Sequence, residues 1–390
     1  MSATPPLADR IPGIDVLRGL AVLLVTLHHI NLRFVLQKYD VAALLPRPLS
    51  RVLFSSGYYS VIVFFVISGF LITALSLRRW GSVDRIQPVA FYRLRVARLL
   101  PCLLLLLAVL SFLHLAQVPA FSIPPERASL GRALVAALGF HVNWLEGHRG
   151  YLPGNWDVLW SLSVEETFYL LFPLACLVLH RESWLLPLLL ALIAAGPFNR
   201  VALEGQAPWE DYHWLSGMDG IAFGCIAGWI SVRRPPAART LHLLAFSGLA
   251  FLVLIVVFRR LTFDLGLTRT GLNVTVLELG TALLLIGIAG GVGRRLAVPG
   301  AWLVRLAGRC SYEIYLTHMF VLLTLTPLFR RVFPENSASR GAYALAYVLM
   351  LALSVLLGVL LARYFSEPLN RWLRGNHGAT GRPKEDGIYR

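Results

Sequence analysis

The segment IDVLRGLAVLLVTLHHINLRFVL, residues 14–36, is long and apolar enough to cross a bilayer, yet it contains ionisable side chains. Such groups are costly inside a membrane span unless they are paired or face a cavity, so they indicate a functional role. Arg18 and His29 are eleven positions apart, which on a helix is roughly 1100°, or three turns and about 20°. They therefore share one face, about 16 Å apart along the helix axis, whereas His28 points elsewhere.

We interpret Arg18 and His29 as an anchor and a reactive group on one rigid helix. A lone histidine in an apolar helix is more often a packing residue, and an arginine near a helix end usually extends to the membrane interface. The shared face favours the functional interpretation. Asp15, three residues before Arg18, is predicted to orient the guanidinium group and to belong to the substrate-binding residues.

The composition predicts a polytopic membrane protein of the all-α class. Of the 390 residues, 57% are hydrophobic and 15% are charged, whereas soluble proteins carry about 25% charged residues. The formal net charge of +15 does not indicate a nucleic-acid partner, because the basic residues lie in short loops between apolar runs, which is typical of membrane topology. The four cysteines lack metal-site spacing, so no metal is predicted.

Ten transmembrane helices around a central cavity are predicted. Their approximate bounds are 14–36, 54–77, 99–116, 157–179, 184–201, 213–231, 240–258, 274–292, 306–328 and 341–363. The short segment 129–144 is predicted to be an interfacial or re-entrant helix, because counting it as a span would place later basic loops outside the cell. Both termini are then cytoplasmic. Residues 1–372 are expected to form one transmembrane domain, followed by a disordered cytoplasmic tail, 373–390.

Arginines cluster at the start of the third span, in FYRLRVARLLP, residues 91–101. Arg95 and Arg98 are three apart, and Arg93 is close by. Guanidinium groups form bidentate hydrogen bonds with phosphate, so the cluster indicates a phosphate or nucleotide site. A purely topological role is the alternative, since basic residues also mark cytoplasmic membrane surfaces.

Two carboxylates and a small-residue pair mark further candidate positions. Glu165 and Glu166 are adjacent in an apolar run, so about 100° separates them on a helix and at least one needs a buried partner, such as an arginine or His29. A structural ion pair and a catalytic role remain open for them. Ser68 and Gly69, in the second span, are small enough to let another helix or a ligand approach closely.

A late span contains the fourth candidate region, SYEIYLTH, residues 311–318. Tyr312 and Tyr315 are three apart, share a side, and are expected to line a cavity. Glu313 and His318 lie in the same stretch, and Asp219 is a further ionisable residue inside a span; a structural role is the alternative for all three.

Five motifs in the same order resemble those of the family-3 membrane acyltransferases, bacterial enzymes that O-acylate sugars, lipopolysaccharide and other acceptors. The motifs are Arg18 and His29 with ten residues between them, FFVISGFLI, Arg95 with Arg98, WSLSVEETFYLLFP, and SYEIYLTH. The resemblance covers residues 11–372, with Thr167 and Met319 as departures from the family pattern. It implies a stand-alone transferase in the bacterial inner (plasma) membrane, since little chain follows residue 372 for a fused esterase-like domain.

The resemblance implies transfer of an acyl group, by family habit acetyl, from acyl-CoA to a hydroxyl of a cell-surface saccharide or lipid-linked glycan. His29 would act as a general base or as a covalent acyl carrier, with Glu165 or Glu166 holding its tautomer. The residues expected to bind CoA are Arg18, Ser68, Arg93, Arg95 and Arg98. Those expected to bind the other substrate are Asp15, Trp160, Tyr312 and His318. The alternative is a secondary transporter or flippase, because intramembrane charges also mark transport pathways.

Overall fold

The protein is described by a computed structural model covering residues 10–36, 45–179, 182–294, 300–334 and 338–375. Every regular element in these ranges is helical, and ten stretches are long and apolar enough to cross a membrane. Ten long helices form the bundle: α1 (Pro12–Leu36), α3 (Gly57–Trp80), α4 (Pro88–Leu115), α8 (Leu159–Leu179), α9 (Glu182–Ala202), α11 (Leu215–Arg233), α12 (Ala238–Val257), α14 (Leu272–Ala289), α16 (Ser311–Val332) and α17 (Arg340–Leu361).

Eight shorter helices connect or flank these ten in the described chain. They are α2 (Arg47–Phe54), α5 (Leu130–Leu138), α6 (Val142–Arg149), α7 (Gly154–Asp157), α10 (Trp209–Tyr212), α13 (Arg259–Asp264), α15 (Ala301–Arg309) and α18 (Glu367–Gly375). A 3₁₀ turn spans Val83–Arg85, and a π-helical turn, Ala362–Ser366, joins α17 to α18. The all-α, ten-span prediction is therefore confirmed.

The segment that was difficult to place by sequence consists of α5 and α6. Helix α5 begins after Ser129, whose side-chain oxygen accepts a hydrogen bond from the Arg132 amide, and it stops before Gly139. Phe140 follows with a φ of 53°, which breaks the helix. Nine residues rise only about 13 Å, against about 30 Å of hydrocarbon, so α5 is too short to cross, as predicted.

The predicted span bounds lie within five residues of the helix ends except at the start of the third span, and the predicted end of the domain differs as well. The third span was placed from residue 99, but α4 begins at Pro88, because proline is favoured at the first helical position, and the helix then continues through Pro101 to Leu115. The arginines of this region therefore project from a helix and not from a loop. Helix α18 ends at Gly375, three residues past the predicted domain end, and the remainder of the predicted tail lies outside the described residues.

Close contact between α3 and α11 fixes one side of the bundle. A Cβ added at Gly69 would clash with the carbonyl oxygen of Ile221, and one added at Gly224 would clash with that of Val66. Helices approach this closely only where small residues face each other. Ser68, the neighbour of Gly69, faces a cavity instead. Of the two alternatives predicted for this pair, helix packing therefore applies to Gly69, and a position facing a possible ligand applies to Ser68.

We expect Gly69→Ala to destabilise the fold by about 1–3 kcal/mol, because the new methyl group meets main-chain atoms that cannot rotate away. The measurement is the unfolding temperature of the purified protein in detergent. Gly131→Ala is the matched control, since a Cβ at this helical glycine has no neighbouring atom within 4 Å. Equal unfolding temperatures for the two variants would contradict the close α3–α11 contact.

Helices α1 and α16 run in the same direction and meet at two levels. Near their starts, Arg18 hydrogen-bonds to Ser311, and further along both helices His29 contacts His318. Residue numbers therefore increase in the same direction along both helices. This pairing places the two ionisable residues of α1 against polar residues of a single partner helix.

Candidate active site

A cavity of about 150 Å³ lies among α1, α3, α4, α8 and α16, and it has room for several water-sized groups. One end is polar and contains arginine and glutamate side chains. The other end is walled mainly by Val61, Phe64, Leu162 and Tyr315. We call these the arginine end and the Tyr315 end.

Three arginines from two helices define the arginine end. Arg18 donates from Nε and Nη2 to Oγ of Ser311, at 3.2 and 2.9 Å. The guanidinium carbon of Arg95 lies 3.6 Å from the centroid of the Tyr169 ring, a cation–π contact. Arg98 lies 3.5 Å from a carboxylate oxygen of buried Glu313 and keeps 26% of its side chain exposed, so this end reaches toward the surface.

Two sequence-predicted partners of this arginine group lie elsewhere. Arg93 is exposed and does not line the cavity. It lies two residues before Arg95, which places its side chain roughly 200° away from that of Arg95 around the helix. Asp15 is also absent from the lining, and within the described ranges no ion pair joins it to Arg18, whose guanidinium hydrogen-bonds to Ser311 instead. The predicted roles of Arg93 and Asp15 at the site are therefore not supported by their positions.

Both glutamates of α8 face the cavity, but neither holds a histidine. Glu165 accepts a hydrogen bond from the Ser68 hydroxyl. Glu166 is 5% exposed, and its Oε1 has no hydrogen-bond partner in the described chain. The prediction that one of them fixes the His29 tautomer is wrong, because the ring of His29 pairs with His318.

The hydrogen bonds of the two histidines determine which nitrogen carries each proton. Nδ1 of His318 lies 2.8 Å from the Tyr315 carbonyl oxygen and 3.2 Å from that of Ile314. Carbonyl oxygens only accept, so this Nδ1 is protonated and Nε2 of the neutral His318 ring is an acceptor. Nδ1 of His29, 3.0 Å from that Nε2, must donate to it. Nε2 of His29 is left with its lone pair, as a general base requires.

The histidine pair lies just beyond the Tyr315 end of the cavity. Neither histidine lines the cavity, but Tyr315 does, and its ring centroid is 6.0 Å from that of His318. Three residues separate them on α16, or about 4.5 Å of rise. The Tyr315 hydroxyl is 2.7 Å from Oγ of Ser161 and 3.1 Å from the carbonyl oxygen of Val158, which fixes the ring in place.

On the far side of the histidine pair lies a polar group that the sequence did not single out. Arg33, one turn after His29 on α1, packs over Gly154 at the start of α7. In the same short helix, both side-chain polar atoms of fully buried Asn155 lack a hydrogen-bond partner among the described residues. The spacing of Arg33 from His29, four residues on one helix face, was the available sequence signal.

Trp160 lies in this region on the far side of the histidine pair and does not line the cavity. Its ring stacks on Tyr212 at 4.3 Å, and the Tyr212 hydroxyl donates to Asp157 at 2.8 Å. Nearby Glu146 in α6 accepts the Leu152 amide hydrogen at 2.9 Å. Burial, followed by the adjacent charge of Asp157, raises the pKa of Glu146 well above its usual range.

Asp219 has a structural environment. One oxygen accepts from Arg200 at 2.7 Å, and Glu278 lies 3.9 Å from the same guanidinium nitrogen. All three side chains are buried among α9, α11 and α14, away from the cavity lining. Across the described residues, no group of three histidine, cysteine or acidic side chains is placed to hold a metal ion.

Known proteins similar to this chain include O-acetyltransferases, and a family profile matches it as well. A family profile described as "Acyltransferase domain" (Acyl_transf_3) matches residues 11–363. "Peptidoglycan O-acetyltransferase OatA" of Listeria monocytogenes serovar 1/2a is 26% identical over 349 residues, covering 82% of this chain and 50% of that protein. "O-acetyltransferase OatA" of Staphylococcus aureus (strain NCTC 8325 / PS 47) is 32% identical over 183 residues, covering 44% of this chain and 26% of that protein.

The chain thus spans half or less of the length of these relatives. No solved structure matches it. The family match nevertheless extends over nearly all ten candidate spans, and it includes the helices that carry Arg18, His29 and the cavity. By this match the chain belongs to the family-3 acyltransferases.

Proposed function

We propose that the protein transfers an acetyl group from acetyl-CoA to a hydroxyl of a cell-surface saccharide. The observation that carries the proposal is the cavity that runs from three arginines to within about one turn of the histidine pair. Family membership supports acyl transfer. The relatives are named O-acetyltransferases, which supports acetyl as the transferred group, and the Listeria relative is named for peptidoglycan, which supports a saccharide of the cell wall as the acceptor. The same membership argues against the transporter alternative.

The donor would bind with its phosphates at the arginine end. Coenzyme A combines several phosphates with a long, thin pantetheine arm. Arg95 and Arg98 lie in the first turns of α4, and Arg98 is partly exposed, so they are placed to meet the phosphates. Arg18 would contact the arm, which then runs along the cavity toward Tyr315 and the histidine pair.

His29 would then act as the general base. Its Nε2 takes the hydroxyl proton of the acceptor while the acceptor oxygen attacks the thioester carbonyl carbon. A carbon–oxygen bond forms, the carbon–sulfur bond breaks, and the proton on Nε2 passes to the departing thiolate. His318, as acceptor for Nδ1 of His29, positions the imidazole throughout. The same lone pair also suits direct attack on the thioester, which would make His29 an acyl carrier.

The test is transfer of radiolabel from acetyl-CoA to a saccharide by the purified protein in liposomes. Peptidoglycan glycan fragments are the first acceptor to use, because the Listeria relative is named for that substrate. We expect label in the glycan only when protein and acetyl-CoA are both present. Movement of unmodified glycan across the liposome membrane without label transfer would contradict the proposal and favour a carrier. Incubation without acceptor separates the two routes, since an acyl carrier leaves label on the protein.

We expect Arg95→Ala to raise the KM for acetyl-CoA by about tenfold, with a smaller decrease in kcat. A phosphate contact remote from the thioester contributes similar binding energy in the ground state and in the transition state. Arg93→Ala is the matched control, because Arg93 lies two residues away on the same helix but is exposed and outside the cavity. A KM for Arg95→Ala equal to that of Arg93→Ala would refute the phosphate contact.

A further inference from the structure

We infer that the acceptor saccharide binds on the side of the histidine pair that faces away from the arginine end, and that Arg33 and Asn155 hold it beside His29. The inference rests on the proposed function, because it concerns the acceptor of that reaction. Neither residue belongs to those that would bind the donor or move the proton.

Arg33 lies past His29 on α1, on the side away from Arg18. Four positions, or about 6 Å of rise, separate it from His29. Arg33 and Asp157 both keep part of their surface exposed, yet neither lines the cavity that starts at the arginine end. Their exposed surface is therefore reached from another direction, and the donor and the acceptor would approach His29 from opposite sides.

The guanidinium group of Arg33 has unused hydrogen-bond donors. Its Nε is buried without a partner, and across the described ranges no hydrogen bond or ion pair joins the group to another residue. Asp157 is within electrostatic range of Arg33, but its carboxylate accepts from the Tyr212 hydroxyl instead. An arginine next to a reactive histidine, with its donors unused, is placed to donate to an oxygen of a ligand.

Asn155 supplies both a donor and an acceptor next to this arginine. It follows Gly154, over which the guanidinium group packs: a Cβ added there would lie 2.5 Å from Nη2 of Arg33. Asn155 is 0% exposed, and its side-chain oxygen and nitrogen both lack a partner in the described part of the chain. Unpaired buried amide groups are destabilising, so their presence calls for a reason. A saccharide hydroxyl both donates and accepts, and it would satisfy either atom.

Aromatic rings lead from this polar group toward solvent. Tyr212, which donates to Asp157, stacks on Trp160 at 4.3 Å, and the Tyr151 ring packs edge-to-face on Tyr212 with centroids 5.9 Å apart. Tyr151 itself is 51% exposed. Rings with an apolar face and a polar edge suit a ligand that carries both C–H faces and hydroxyl groups. A saccharide is a ligand class with both features.

The first experiment measures the KM for peptidoglycan glycan fragments and for acetyl-CoA in Arg33→Ala. We expect the KM for the glycan to rise at least about tenfold, since a charged hydrogen-bond donor is lost, while the KM for acetyl-CoA stays within about twofold of wild type. Arg33→Lys, which keeps the charge, should recover part of the loss. Arg149→Ala is the matched control, because Arg149 is an exposed arginine of the preceding helix α6, and it should leave both constants near wild type.

Asn155→Leu separates a binding role from a structural one. It removes two unpaired polar atoms and keeps the branching of the side chain, so the unfolding temperature should not fall, while the KM for the glycan should rise at least about tenfold. Asn143→Leu gives the contrast. Asn143 is equally buried, but its Nδ2 donates to the Tyr212 carbonyl at 3.0 Å, so this substitution should lower the unfolding temperature.

Three results would overturn the inference while leaving the proposed function intact. One is a KM for the glycan in Arg33→Ala equal to that in Arg149→Ala. Another is a fall in kcat with both KM values unchanged, which would place Arg33 in the chemical step. The third is a lower unfolding temperature in Asn155→Leu with an unchanged KM for the glycan. Absence of label transfer by wild type would instead refute the proposed function, and this inference with it.

Discussion

Replacing His29 with alanine is expected to reduce acetyl transfer by about 10²–10⁴-fold, the usual contribution of a positioned general base. The expectation follows from the chain of hydrogen bonds. Two carbonyl oxygens hold the proton of His318 on Nδ1, so Nε2 of His318 accepts the Nδ1 hydrogen of His29, and Nε2 of His29 is left unprotonated. The measurement is the initial rate of label transfer with saturating acetyl-CoA and acceptor. Because the arginine end is unchanged, the KM for acetyl-CoA should stay within about twofold of wild type.

His28→Ala is the matched control for this variant. The two histidines are adjacent on α1, and their ring centroids are 5.5 Å apart, but the hydrogen-bond partner of His28 is different: its Nδ1 is 2.9 Å from the carbonyl oxygen of Phe54. His28→Ala should retain most of the activity. Unfolding temperatures of the two variants, measured in the same detergent, exclude a general loss of structure. Full activity in His29→Ala would remove the central assignment of the mechanism.

Replacing His318 is expected to produce the second large effect, a decrease in kcat of about 10–100-fold in His318→Ala. Hydrogen-bond partners that orient a metal-bound imidazole matter by about 10–100-fold, and we expect the same range for a partner that orients a general base. Without His318, the Nδ1 hydrogen of His29 loses this acceptor, so the orientation and tautomer of the ring are held less firmly. His318→Gln should recover part of the loss, because the glutamine side-chain oxygen can accept the same hydrogen bond.

The comparison between His318→Ala and His318→Gln distinguishes a role of His318 in positioning the His29 ring from a role in packing alone. His318 is fully buried, so loss of volume alone could reduce the rate, but such a loss would not be repaired by an amide. Thr317→Val is the matched control, since the neighbouring Thr317 is also buried and its one hydrogen bond within the described ranges is to the Glu313 carbonyl of its own helix. Equal rates for His318→Ala and His318→Gln would indicate that His318 does not orient His29.

The sequence predicted the membrane architecture well because length and hydropathy alone determine which helices can cross. The ten predicted spans correspond to ten candidate spans in the structure, and α5 proved too short to be an eleventh. The start of α4 was the clearest error. Arginines at residues 93–98 suggested a loop, whereas proline at the first position and good helix formers after it extend the helix over them.

Within the site, single-helix geometry was predictable and contacts between helices were not. The spacing of Arg18 and His29 on one uninterrupted helix is as predicted, and Tyr312 and Tyr315 both line the cavity. The partners of Arg18 and His29 lie on a helix about 290 positions away, and no spacing rule within one helix identifies them. Carboxylates were the obvious candidates for His29, but the tertiary fold provides a second imidazole instead.

The glycine contacts between α3 and α11 have a consequence for how donor preference can change among related proteins. The backbone of α3 is already in contact with main-chain carbonyl groups of α11, so α3 cannot move away from the cavity when a bulkier thioester enters. Room for a longer acyl chain must therefore come from trimming side chains on α3, or from shifting the helices that face it.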